Sequence, residues 1–356
     1  MRPAAAVLAC LALTTALAAE EPARGFEVTR LDEGVHAVIR REPVGMMFDA
    51  NNAFIVNDED VVVVDANATA SSTRETIAAL RRITSKPVRY VVNTHWHEDH
   101  ILGNQVYREA FPGAEFIGHA STRADLTTIG AENRRQALEG GPGFVATLRR
   151  LLDEGRSLTG AALTEEERAA YASDSRLVER YVAEAALVPI ILPTIAAGDR
   201  LTLHRGGRTI EILHLGRAHT GADLVVHLPA ERIAIAGDLV SWPVPLVGTT
   251  SHPAEFGRTL ERLLDLRAAT IVPGHGPVMR DDTYPRLLVR LLTAIRERTE
   301  AAVARGETLD QARKSVDLSE FRALITGDSQ FRGFAFDNYV AIPAVAAAYR
   351  EAKESR

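Results

Sequence analysis

Between positions 94 and 100 the chain reads Thr94-His95-Trp96-His97-Glu98-Asp99-His100. Three imidazoles and the Asp99 carboxylate fall within positions 95 to 100. Such crowding is costly away from water, because every buried polar group needs a partner. A metal ion supplies those partners at once. The preceding run, Val88-Arg89-Tyr90-Val91-Val92, reads as a buried strand. The cluster therefore sits on a loop at a strand end, where His95 and His97 can serve one ion while Asp99 and His100 reach a neighbouring position. These ligands do not fill two zinc sites, each of which takes four or five. Others must come from the ends of later strands. His219 lies in Leu215-Gly216-Arg217-Ala218-His219-Thr220-Gly221, Asp238 in Ala236-Gly237-Asp238, and His275 in Val272-Pro273-Gly274-His275-Gly276-Pro277. Each follows a strand-like run on a glycine-containing loop, where backbone can approach a metal closely. Taken singly, His219 and His275 would be ordinary loop histidines and Asp238 a turn cap. Taken together with the first loop, they form a metal constellation.

These four segments, in this order, resemble the metallo-β-lactamase superfamily, and the resemblance runs from about Phe26 to Pro277. It implies His95, His97 and His219 around a first metal and Asp99, His100 and His275 around a second. Asp238 would bridge both or belong mainly to the second. Two zinc ions per chain are expected, with iron or manganese as alternatives. The ligand set is similar to that of the glyoxalase II and broader metallohydrolase branch. One lactamase subclass has Cys at the Asp238 position and Lys soon after, whereas this chain reads Gly237-Asp238-Leu239-Val240-Ser241-Trp242. Another subclass lacks that Cys, so β-lactamase activity stays an alternative. Diiron flavoprotein relatives place Glu at the His97 position, which speaks against that branch.

The resemblance implies a hydrolase that uses a metal-activated hydroxide on an ester, thioester, lactone or lactam. Asp99 would be the catalytic residue, orienting the hydroxide and accepting its proton. Phosphodiester or sulfate-ester cleavage, iron-dependent sulfur dioxygenation and non-catalytic metal binding share these ligands, and fold alone does not choose among them. No Gly-x-Ser-x-Gly elbow is present. Asp65, closing the run Val61 to Val64, is expected to brace the metal loop by hydrogen bonds. Trp96 is expected to pack beside the site, and Glu98 to be a solvated neighbour. His119 and His252 are candidates for the pocket wall; His36, His204, His214 and His227 read as structural or exposed.

The elements that must position these groups alternate. Strand-like runs at Phe26–Arg41 and Ala53–Asp65 precede a helix that Ser72 and Glu75 would open as a capping box. Strand Val88–Val92, the histidine loop, a helix from Leu102 to Phe111 and a strand from Glu115 follow. Further strands are expected at Arg200–His204, Thr209–His214, Leu224–Leu228, Arg232–Ala236 and Thr270–Val272, with helices at Pro253–Leu266, Tyr284–Arg305 and Phe336–Ala352. The order gives two similar halves, each a sheet covered by helices. The expected fold is an α/β, four-layer αββα metallo-β-lactamase sandwich over residues 26–280. A helical insertion at about 121–188 would be broken by a loop at Glu139-Gly140-Gly141-Pro142-Gly143. It would either shape the substrate entrance or form a pad on the sheet. Residues 281–356 form a C-terminal helical extension.

The chain has 356 residues, 46% hydrophobic and 25% charged, with a formal net charge of −6. The negative balance argues against nucleic acid as partner and leaves a small-molecule substrate. Arg2, the apolar run Ala4 to Ala16 and Ala16-Leu17-Ala18 form the pattern of a signal peptide over residues 1–18, and hence export to the periplasm. The run is short for a membrane span. Cys10, inside that leader, is the only cysteine, so a thiolate ligand and a disulfide are both excluded from the mature chain. Nothing in the sequence sets an oligomeric state.

Overall fold

Every second valine of the run Val61–Val64 faces a different layer, and this alternation builds the molecule. In the computed structural model, which describes residues 25–43 and 45–354, Val62 and Val64 pack toward a second sheet while Val61 and Val63 pack toward helices. The proposed leader, residues 1–18 with Cys10, lies outside the described residues.

The first sheet joins β1 (Phe26–Asp32), β2 (Val35–Arg40), β3 (Asn52–Val56), β4 (Val61–Val64), β5 (Val88–Val92), β6 (Glu115–His119) and β7 (Ile195–Ala197) in sequence order. Strands β1 to β4 form an antiparallel meander, and β4 to β7 are parallel. Parallel neighbours require crossovers, here α1 (Ala70–Ile83) and then α2 (Glu98–Ile101) with α3 (Asn104–Ala110). The second sheet has the order β12-β11-β10-β9-β8, built from β8 (Arg200–Arg205), β9 (Arg208–Leu213), β10 (Val225–Leu228), β11 (Ile233–Ser241) and β12 (Thr270–His275). Its parallel pair, β11 and β12, is joined through α7 (Pro253–Asp265).

Between the sheets, Val62, Val64, Val92 and Ile117 meet Ile210, Ile212, Val226 and Ile235. Outside the first sheet, Phe54, Val63 and Val91 pack with Ile77, Leu80 and Tyr107. Outside the second, Ala234, Ala236 and Ile271 pack with Phe256, Leu260, Leu288 and Leu291. The expected αββα layering is therefore present. The helices after residue 281 share that last core: α8 (Thr283–Ala304), α9 (Leu309–Ser315), α10 (Ser319–Thr326), α11 (Gln330–Phe336), a π-helical turn (Asp337–Ala341) and α12 (Ile342–Glu354) contribute Ile295, Ala312, Phe321, Phe336, Val340 and Val345.

Local details differ from expectation at several places: β11 runs on through Asp238 and β12 runs on to His275, which were expected on loops beyond shorter strands. The cap of α1 is Thr69, whose Oγ1 accepts the Ser72 N–H at 3.1 Å, so Ser72 lies inside the first turn and the Ser72–Glu75 box does not form. The helix expected over Leu102 to Phe111 is α3, which starts only at Asn104, and a separate short helix before it, α2, already carries Asp99 and His100. The expected loop at 139–143 is absent: α5 (Ile129–Glu154) runs through it after the short α4 (Thr122–Thr127). There Gly141 lies against Val178 and Val182 of α6 (Glu165–Ala185), so close helix packing overrides the weak helix propensity of glycine.

Candidate metal centre

The first sheet delivers the histidine loop to its edge and Asp65 holds it there. Asp65 follows β4 with φ 60°, a conformation an aspartate tolerates better than most residues. Its Oδ1 accepts the Thr94 N–H at 2.7 Å, and its Oδ2 accepts the Thr94 hydroxyl at 2.8 Å. The same Oδ2 lies 2.9 Å from His100 Nδ1. The expected brace is therefore observed in full. Asn93 Nδ2 adds a bond to the His100 carbonyl at 2.8 Å, and Asn104 Nδ2 holds the Asn93 amide oxygen at 2.7 Å.

The structure brings all the expected ligands together in two groups. His95, His97, His219 and Asp238 offer donor atoms within 4.8 Å of one another, and so do Asp99, His100 and His275. Asp238 divides its carboxylate between them. Oδ2 lies 3.4 Å from His219 Nε2 and 4.0 Å from His95 Nε2, while Oδ1 lies 3.4 Å from His275 Nε2 and 3.5 Å from His100 Nε2. Asp99 Oδ2 stands 3.3 Å from His275 Nε2 and 3.2 Å from His100 Nε2. In the first group His219 Nε2 is 2.8 Å from His97 Nδ1.

The outer ring nitrogens are tied back. His219 Nδ1 meets the Leu246 carbonyl at 2.8 Å, His95 Nδ1 the Thr94 hydroxyl at 3.2 Å, and His100 Nδ1 the Asp65 carboxylate. Each contact turns Nε2 inward, as hydrogen-bonded second partners of metal-binding histidines do. The His275 loop is held by Asn51, whose Nδ2 donates to the Pro273 and Gly276 carbonyls at 3.0 and 2.9 Å. Gly274 is needed because a Cβ there would stand 1.9 Å from Asp238 Oδ1.

Charge follows position. Burial, then the neighbouring His219, holds His97 down to about 3, and burial with the neighbouring histidines holds His95 well below its ordinary range. Burial alone would depress His275, but Asp238 and Asp99 outweigh it and push it up to about 10. Burial would raise Asp99 and Asp238, yet His100 and His275 hold both well below the usual carboxylate range. The atoms His95 Nε2, His100 Nε2 and Asp238 Oδ1 are buried and make no hydrogen bond. Buried polar atoms without partners are rare. Here they face one another from a donor set of imidazole nitrogens and carboxylate oxygens, which fits divalent cations.

Two expectations need correction. Glu98 is not a solvated neighbour: the Tyr181 hydroxyl donates to its Oε2, Arg134 Nε lies 3.7 Å from its Oε1, and burial pushes it up to about 7. It ties the metal loop to α5 and α6. His119 and His252 do not join the ligand groups or the cavity walls at His275. His119 packs its ring on His214 at 4.3 Å, and His252 pairs with Glu351 at 3.2 Å. Trp96 packs as expected, among Ile101, Leu126 and Ala222. Sequence reasoning missed the residues that open onto the centre. A cavity of about 360 Å³ beside His275 is lined by Arg40, Glu42, Met47, Phe48, Asp49 and Trp242 among others. Met46-Met47-Phe48 just ahead of Asp49-Ala50-Asn51 was the available signal, an apolar run on a loop between strands.

Comparison with known proteins agrees with this geometry. The family model described as metallo-beta-lactamase superfamily matches residues 46–275. A linear primary-alkylsulfatase of Pseudomonas sp. (strain ATCC 19151) is 26% identical over 272 residues, covering 73% of this chain and 48% of that protein. The chain thus spans about half the length of that curated relative. Among solved structures, a metallo-beta-lactamase from Pontibacter korlensis superposes with a TM-score of 0.50 at 18% identity, covering 75% of this chain and 99% of the other. The DIM-1 metallo-beta-lactamase gives 0.50 at 16% identity, covering 76% and 98%. At such identities these two show the fold.

Proposed function

The chain belongs to the metallo-β-lactamase superfamily, and from this premise we propose that it is a hydrolytic enzyme, a dinuclear zinc hydrolase acting on a small ester-type substrate. The observation that carries the reading is the Asp238 carboxylate divided between two groups of converging donors, with His95 Nε2, His100 Nε2 and Asp238 Oδ1 buried without a hydrogen bond. His95, His97 and His219 would hold one cation, Asp99, His100 and His275 the other, with Asp238 shared. Two such cations supply Lewis acidity, polarising the scissile group and lowering the pKa of water from about 15.7 toward about 7. His95 and His97, held neutral, keep their ring lone pairs available. The Asp99 carboxylate can orient an attacking water and accept its proton. Asp65, Asn51 and the Leu246 carbonyl fix the inward-facing rings. The Met47–Phe48 and Trp242 walls shield one side of the substrate from water.

Esters, thioesters, lactones and lactams all suit such a site. The alkylsulfatase relative favours sulfate esters as a second class. We also propose export to the periplasm, on the n-region, apolar run and cleavage pattern of residues 1–18. No helix among the described residues is long and apolar enough to cross a membrane.

The test is metal content joined to a panel of carboxylic, thio-, sulfate and lactam substrates, for wild type, Asp99→Asn and His275→Ala. We expect about two zinc per chain in wild type. Asp99→Asn should lose about 10²-fold or more in kcat with metal largely retained, and His275→Ala should lose one metal equivalent. One iron per chain, or unchanged activity in Asp99→Asn, overturns the reading.

A further inference from the structure

Nothing in the reaction outlined above uses Asp174, yet it is a buried carboxylate on α6 reaching far along the chain. Its Oδ2 accepts the Met46 N–H at 2.9 Å and its Oδ1 the Met47 N–H at 3.2 Å. The contact is close enough to require glycine next door: a Cβ on Gly45 would lie 2.2 Å from Asp174 Oδ1. From the other side, the Tyr339 hydroxyl, in the π-helical turn before α12, donates to the Met46 carbonyl at 2.9 Å. The held segment has no regular secondary structure. It carries Phe48, whose ring centroid is 5.0 Å from that of His275 and 6.3 Å from that of Tyr339. Met47 and Phe48 then line the cavity beside His275, which Trp242 lines as well.

A loop without ladder bonds is ordinarily among the more mobile parts of a protein. Here its backbone groups are satisfied by side chains from two distant helical elements. A buried carboxylate is costly unless hydrogen-bonded, and both of its oxygens are spent on this loop. The side chains of Asp174 and Tyr339 hydrogen-bond to Met46 and Met47 and to none of the metal-site groups. We propose that Asp174 and Tyr339 are positioning residues that clamp the Gly45–Phe48 loop as a wall of the substrate cavity, so that α6 and the C-terminal helices set which substrate arm is accepted beside His275. This assigns the helices between β6 and β7 a role in specificity, and it rests on the hydrolase reading only for the meaning of the cavity.

The test uses the full zinc-loaded chain as wild type, Asp174→Ala, Asp174→Asn and Tyr339→Phe. Two readouts apply: amide hydrogen exchange at Met46 and Met47, and kinetics on p-nitrophenyl acetate and p-nitrophenyl hexanoate. In Asp174→Ala both amides should exchange about tenfold faster or more, with those of β11 unchanged. KM for the hexanoate should rise about tenfold with kcat within about twofold, and the acetate should be little affected. Asp174→Asn, which keeps one acceptor, should fall between, and it carries the test with Tyr339→Phe if the alanine variant does not fold. Unchanged exchange at Met46 and Met47 overturns the clamp. An equal loss on both esters overturns its role in specificity. If wild type cleaves neither ester nor any other substrate, the hydrolase reading fails on its own, and the exchange rates still decide the clamp.

Discussion

Asp65 shows how one carboxylate can organise a centre it does not enter. It sits in a left-handed backbone conformation, receives two bonds from Thr94 and orients His100 through Nδ1. Asp65→Asn keeps the shape and removes the charge. It should lower metal affinity by about 10- to 100-fold, the usual effect of losing such an outer partner. Competition with a graded series of chelators would read this, and an unchanged affinity would show that Thr94 alone holds the loop. The residue scale also explains which assignments were legible in sequence. Histidines and aspartates in strand-end motifs announce themselves by type. The residues that hold them, Asn51, Asn93 and Asn104, resemble ordinary polar amides until their partners are known.

The elements divide the work differently from what their sequence patterns suggest. The helices α5 and α6 look in sequence like an appendage, yet they reach the centre at two points. Tyr181 and Arg134 grip Glu98 in the metal loop, and Asp174 grips the loop carrying Phe48. The bonds that tie this segment down run to the metal loop and to the loop carrying Phe48. The grip of Asp174 carries a pH signature. Burial pushes it up to about 6 from an ordinary value of 3.8, and its bonds to Met46 and Met47 offset only part of that. The folded state therefore holds this proton more tightly than the unfolded state does. The resulting penalty is absent below about pH 4, develops as pH rises toward 6, and is complete above it, amounting to about 2–3 kcal/mol. The stability of Asp174→Asn relative to wild type should rise by that order between pH 4 and 7. Urea unfolding at each pH checks it, and a pH-independent difference would refute it.

Across the whole molecule, two sheets meet face to face and the centre forms where their strand ends converge. The first sheet contributes His95 to His100 and the second His219, Asp238 and His275. Cations held there would bridge both sheets, so binding should stabilise the fold as a unit. At a free-metal level of about 100 times Kd the gain is about 2.7 kcal/mol. Chelation should lower the thermal midpoint by several degrees and re-addition of zinc should restore it. A midpoint insensitive to metal would mean that the centre does not couple the sheets.

Much of this was determined by sequence alone. The alternation of strand-like and helical runs fitted an αββα sandwich, and the resemblance carried by the four motifs implied the metal constellation, because residue type and spacing are local properties of the chain. The tertiary structure decided what depends on approach between distant segments. It placed the Asp238 oxygens toward different histidine groups. It turned Glu98 from solvent into a buried partner of Tyr181, and it carried α5 unbroken through Gly140-Gly141-Pro142-Gly143 against α6. It also brought Phe48 to His275 under Asp174 and Tyr339. Local propensity is worth about 1 kcal/mol per residue, and a buried polar group without its partner costs more than that. Where the two compete, as at Gly141, contacts between segments distant in sequence prevail.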